Sequence, residues 1–100
     1  MTSALTQRMK PSHLKLICAI RDHGKLQLAA DAVGMSQPAA SRMLSEIETD
    51  AGGPLFERLP RGMAPTPIGA AFVRHARVIL AEVDTLTTEI AQLQGGTAGA

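Results

Sequence analysis

From Pro67 to Gln94 the chain offers no helix breaker, a run of about 28 residues, or roughly 42 Å of continuous helix at 1.5 Å per residue. Within it the apolar residues Phe72, Ala76, Ile79, Val83, Leu86, Ile90 and Leu93 recur at steps of 4, 3, 4, 3, 4 and 3. That spacing is the seam of a coiled coil. A chain of 100 residues has no second helix long enough to cover the stripe. The pattern therefore predicts a second copy of the chain against these seven residues. The competing arrangement folds the helix back on its own core, which covers the first two turns and little more.

The rest of the composition fits one small domain. Hydrophobic residues make up 45% of the chain, normal for a folded domain and too many for a disordered tail. Only Phe56 and Phe72 are aromatic, so the core must be aliphatic. No apolar run approaches the roughly 20 residues needed to span a bilayer. Residues 1–10 are polar, lack a signal-peptide core and read as a loose leader. A single cysteine, Cys18, excludes an internal disulfide framework and a cysteine-rich zinc site. A cytoplasmic address is the expectation. The formal charge is +1, but residues 1–77 hold all ten Lys and Arg against six acids, while residues 78–100 hold three acids and no base. The front of the chain suits an anionic partner better than the back.

Ahead of the long helix, Pro11-Ser12 open a helical pattern with Leu14, Ile17, Cys18 and Ile20 on one face, ending at Gly24. A short helix fits Leu26 to Val33, with Leu26, Ala29, Ala30 and Val33 inward, and Gly34 ends it. Ser36 can cap a third helix, with Pro38 in its first turn, running to about Asp50. Its inward residues are Ala40, Met43 or Leu44, and Ile47. Leu55–Leu59 and Met63–Thr66 can pair as a two-stranded hairpin around Pro60-Arg61-Gly62, with Pro65 restricting its strand to an edge. Thr66-Pro67 is a strong helix start.

The second and third helices form a corner. Ala30 is small where two backbones must approach, and Gly34 accepts the positive φ of the turn. Such corners also occur in plain helical bundles. The outward side chains at the head of the third helix are more telling. Pro38, Ser41, Arg42 and Ser45 lie three or four apart and share a face, with Gln37 beside them. Gln and Arg pair with adenine and guanine edges, and proline can touch a thymine methyl. An ordinary solvated face usually carries more charge than this one. Glu46, Glu48 and Asp50 confine any phosphate contact to the N-terminal half of the helix.

The stretch Leu28-Ala29-Ala30-Asp31-Ala32-Val33-Gly34-Met35-Ser36-Gln37-Pro38-Ala39-Ala40-Ser41-Arg42 resembles the DNA-binding region of LysR-type transcriptional regulators. So do Ile47-Glu48, Gly52, Pro54-Leu55-Phe56-Glu57-Arg58, and Thr66-Pro67 with Gly69. The resemblance runs without gaps from about Lys10 to Leu80. It implies a mainly α, winged helix-turn-helix over residues 1–66, a linker helix for dimerisation over 67–94 and a flexible tail over 95–100. It also implies that a ligand-sensing domain, absent here, follows the linker in a longer chain, takes the small-molecule inducer and supports tetramers. Carried over by position, Gln37, Pro38 and Arg42 would read bases. Ser41 would touch phosphate or a base edge, with Ser36 and Ser45 beside it, and Arg58 and Arg61 would sit on the wing. The implied partner is promoter DNA, bound by a homodimer at an interrupted inverted repeat. No cofactor or metal is expected.

The sequence departs from the family pattern at Lys25, where a serine cap is usual, and at Gly62 and Ala64, where the wing is usually basic. Ile17 stands where an aromatic is common. Fewer cations predict weaker non-specific binding and a shallower salt dependence. His13, His23 and His75 show no metal-ligand spacing, and Cys18 and the five methionines read as packing residues. Glu48 reads as a local hydrogen-bonding group. The rival functions are a helical protein-interaction module, which would dimerise without salt-sensitive DNA affinity, and an enzyme. For an enzyme the chain offers no nucleophile–base pair.

Overall fold

The computed structural model describes residues 3–95. Seven elements follow in order: α1 (Ala4–Arg8), α2 (Pro11–His23), α3 (Leu26–Val33), α4 (Gln37–Ala51), β1 (Phe56–Leu59), β2 (Gly62–Pro65) and α5 (Pro67–Gly95). The expected tail beyond Gly95 lies outside the described residues.

The expected loose leader is corrected by α1. Ser3 Oγ accepts from the Thr6 N–H at 3.1 Å, and the turn packs on α4, where Arg8 meets Asp50 at 3.6 Å. Leu5 and Met9 turn towards Leu14, Ile68, Phe72 and Ile79 around an open apolar hollow. A helix this short depends on such packing, because one turn cannot offset its own nucleation cost.

Helix α2 is central. Leu16, Ile17 and Ile20 are fully buried, and Leu14, Cys18 and Ala19 nearly so. Each fully buried Leu or Ile contributes about 1.5–3 kcal/mol relative to exposure. Leu16 was not among the expected inward residues; it is buried because α3, α4 and α5 all pack around α2. Ala30 of α3 and Ala40 of α4 are both inaccessible to solvent. Gly34 makes the corner at φ +75°, while Ser36 Oγ accepts from the Ala39 N–H at 3.2 Å and starts α4. Leu44, not Met43, is the buried residue of that pair.

The wing is an antiparallel ladder, Phe56 opposite Pro65, Glu57 opposite Ala64, Arg58 opposite Met63 and Leu59 opposite Gly62. Both strands are edges, so Pro65 costs no ladder bond to a third strand. Its base is tied to α5 by a short network. Glu48 Oε2 accepts from the Leu55 N–H at 2.8 Å, and the Leu55 carbonyl accepts from the Thr66 N–H at 2.9 Å. Thr66 Oγ1 donates to the Pro54 carbonyl at 2.7 Å and accepts from the Gly69 N–H at 3.0 Å. Gly69 itself lies against the chain at Leu55. A Cβ there would stand 1.8 Å from the Leu55 carbonyl oxygen.

Helix α5 has two halves. Val73 and Ala76 are buried against the domain, with Phe72 and Leu80 partly covered, and Arg77 bonds Asp22 of α2 at 2.5 Å. From Ala81 to Gly95 every residue is exposed. Two positions of the expected dimer stripe meet the chain's own core. Ala76 is 1% exposed and Phe72 is partly covered, because the chain's own core covers the first turns of the helix. Ile79, Val83, Leu86, Ile90 and Leu93 remain open, Leu93 at 74%. No described helix is long and apolar enough to cross a membrane.

Candidate nucleic-acid interface

The head of α4 presents Gln37, Pro38, Arg42 and Ser45 to solvent, with Ser41 half-buried between them. The face follows from the burial of Ala40, Leu44 and Ile47: once these point inward, helical geometry turns residues 38, 41, 42 and 45 outward. Ser36 caps the helix, so its hydroxyl already serves the Ala39 N–H. The carboxylates at the other end are partly engaged. Glu48 holds Leu55, and Asp50 holds Arg8.

Charge is distributed unevenly among the described residues. The ion pairs there are Arg8–Asp50 and Arg77–Asp22. Arg42 on α4 and Arg58 and Arg61 on the wing enter neither and are exposed. The wing arginines line one cleft with Gln37, so the hairpin and the head of α4 are neighbours. Lys25 and Gln27, at the start of α3, line the same cleft. The sequence marked Lys25 only as a departure from a pattern. Its convergence with the wing depends on β2 folding back on the α2–α3 turn, which no local spacing announces.

The remaining chemical candidates do not assemble. Burial pushes the Cys18 thiol above its ordinary pKa, against the opposing field of Arg77, so it is a protonated packing residue and not a nucleophile. Among the described residues no three His, Cys, Asp or Glu side chains converge on a metal-sized site. His13 Nδ1 accepts from the Lys10 N–H at 3.4 Å at the start of α2.

Residues 11–70 match the family model described as bacterial regulatory helix-turn-helix protein, lysR family. The HTH-type transcriptional regulator GbpR of Rhizobium radiobacter is 43% identical over 90 residues, which span 88% of this chain and 30% of GbpR. The chain thus covers less than a third of the length of that curated relative. Two solved structures superpose well. The crystal structure of the BenM DBD/benA site 1 DNA complex matches with a TM-score of 0.82 and 30% identity, over 88% of this chain and 99% of that one. The CbnR DBD–DNA complex matches with a TM-score of 0.75 and 32% identity, over 87% and 99%.

Proposed function

This chain belongs to the lysR family of bacterial regulatory helix-turn-helix proteins, and we propose that it forms the promoter-reading part of a transcription regulator. The observation that carries the proposal is the head of α4. It offers a small-residue face with one arginine, beside a wing with two more, and none of the three enters an ion pair among the described residues. Likeness to two chains solved as DNA complexes supports it.

In this mechanism α4 enters the major groove by its N-terminal half. Arg42 takes the O6 and N7 of a guanine, Gln37 pairs with an adenine edge, and Pro38 packs on a thymine methyl. Ser36, Ser41 and Ser45 hydrogen-bond phosphates or base edges. Arg58 and Arg61 lie along the backbone or in the minor groove. The work is binding alone, without catalysis, and its site of action is the cytoplasm. Residues 1–66 act as the reading domain and 67–94 as the dimerisation linker. The open stripe of Ile79, Val83, Leu86, Ile90 and Leu93 pairs with a second copy. Two-fold symmetry then calls for an inverted repeat, its half-sites about one helical turn or roughly 34 Å apart. In a longer chain, a following domain supplies inducer binding and tetramer contacts.

The test is an anisotropy titration against a random duplex pool at two salt concentrations, with sequencing of the bound fraction. Enrichment of an interrupted inverted repeat, bound less tightly at higher salt, is expected. Absence of both enrichment and salt-sensitive binding would leave a helical interaction module instead. On the recovered site, Arg42→Ala is expected to cost about 1–3 kcal/mol and to relax the preference at one base pair. Arg61→Ala is expected to weaken all duplexes evenly. Unchanged selectivity in Arg42→Ala would remove that arginine from the base-reading set.

A further inference from the structure

The open hollow at the foot of α5 has a volume of about 330 Å³. Leu5 and Met9 of the α1 segment line one side of it, and Ile68, Phe72 and Ile79 of α5 line another. Met9, Ile68 and Ile79 are exposed at 38, 44 and 39%. Large apolar side chains gathered in one open patch mark a contact surface. The patch does not end at the hollow. Phe72 and Ile79 also begin the stripe that continues through Val83, Leu86, Ile90 and Leu93. The α1 side has a different origin. It lies ahead of residues 11–70, so the family pattern does not account for it.

The stripe itself says what can fill the hollow. Its alternating steps run almost alike in both directions from Val83. Laid antiparallel on a second copy, Val83 against Val83, it sets Leu86 against Ile79, Ile90 against Ala76 and Leu93 against Phe72. The helix end that carries Leu93 thus arrives at the hollow, and Leu93 is 74% exposed in the protomer. Laid parallel, each residue meets its own copy and no apolar end reaches the hollow. Charge separates the two arrangements. From Pro67 to Arg77, α5 carries Arg74, His75 and Arg77 and no acid; from Val78 to Gly95 it carries Glu82, Asp84 and Glu89 and no base. Lys10 lies beside the hollow's α1 side, and neither it nor Arg74 enters an ion pair among the described residues. Parallel pairing stacks the acidic halves on each other. Antiparallel pairing lays each acidic half along the basic half of its partner.

We infer that α1 is a dimerisation element: Leu5 and Met9 complete a seat that receives Leu93 from the far end of a second copy's α5. The inference rests on the homodimer proposed above and extends its interface to residues outside the stripe. Two-fold symmetry makes two such seats in each dimer. The contact also serves α1. A helix of one turn cannot hold itself, and in the pair it is clasped between its own head and the partner's rod.

The experiment uses the whole chain, in sedimentation equilibrium and in thiol cross-linking. Met9→Asp is expected to raise the dimer dissociation constant about tenfold or more, because a carboxylate would be buried in both seats. Met9→Leu keeps an apolar side chain there and should dimerise like the wild type. Leu28→Asp places the same charge on an exposed residue of α3 that does not line the hollow, and should leave the dimer intact. Met9→Cys combined with Leu93→Cys should give a covalent dimer with a short bismaleimide, and neither single variant should. Within one copy Phe72 and Leu93 stand roughly 31 Å apart along a continuous helix, so the link has to join two copies. The native Cys18 is buried, and burial pushes its thiol up, so it does not compete. A dimer unaffected by Met9→Asp overturns the seat alone. So does a double-cysteine variant that stays unlinked while the wild type is dimeric. A link in either single variant overturns it as well, by setting like residues together. A monomeric wild type overturns the homodimer and the seat together.

Discussion

Gly69→Ala is expected to lower the melting temperature of this fold by roughly 12–24 °C, the equivalent of about 3 kcal/mol in a domain of this size. Two effects oppose each other at this position. Alanine is better than glycine inside a helix by about 1 kcal/mol, so propensity alone predicts stabilisation. Sterics predict the reverse, because the added Cβ would stand 1.8 Å from the Leu55 carbonyl oxygen and 2.8 Å from its carbon. Neither atom is the end of a flexible side chain. Relief requires α5 to lift from the β1 base, and that motion also strains the hydrogen bonds from Thr66 N–H to the Leu55 carbonyl and from Thr66 Oγ1 to the Pro54 carbonyl. Sterics therefore win. Thermal unfolding followed by circular dichroism, at matched protein concentration, measures the outcome. A midpoint at or above that of the wild type would show that the junction is looser than its geometry implies.

The second large effect is expected in the projecting half of α5. Leu86→Asp combined with Ile90→Asp should convert the chain from dimer to monomer at micromolar concentration, read by sedimentation velocity. In a two-fold pair each substitution appears twice, so four carboxylates would have to be desolvated at one interface. The same two positions contribute nothing to the protomer's own core, since both are exposed there. The winged domain should thus keep its cooperative melt. Helical signal from Ala81 onwards should fall, because an isolated stretch of about 15 residues is marginal in water. DNA affinity should drop with it, as two half-sites are no longer held by one linked pair. A double variant that still sediments as a dimer would move the interface away from this stripe. A wild type that is monomeric at tens of micromolar would remove the homodimer from the mechanism.

Much of the reading head was legible because its signals are local. Gly34, Ser36 and Thr66-Pro67 act on their own helix ends, and the structure has each element starting or stopping there. The outward face of α4 followed from three inward residues and the helical period. Other features depend on contacts between distant segments. Leu16 was missed because a helix packed on several sides loses its one-faced periodicity. Ala76 continues the 4-3 spacing, yet spacing does not say whether a partner or the chain's own α2 covers it. The leader's sequence shows no period because a five-residue helix has too few turns for one, and what holds it is the packing of Leu5 and Met9, with the Arg8–Asp50 pair, exposed on its arginine side, beside them. Lys25 shared the same difficulty. Its neighbours Arg58 and Arg61 arrive only when the wing bonds back to Gly24.

The unbroken course of α5 has a mechanical meaning. No proline or glycine interrupts it between Gly69 and Gly95, and its first turn is bonded to the base of the wing. The helix is a stiff rod without slack, clamped at one end. A rotation of about 10° at the clamp sweeps the far tip of a roughly 42 Å rod through about 7 Å, and the same lever runs in reverse. Where two such rods cross, a small change of crossing angle becomes a displacement of each head comparable to the rise of about two base pairs. In the pairing proposed above, the spacing that two such heads would measure along DNA is thereby set by the angle between two helices, far from the residues proposed to touch the duplex.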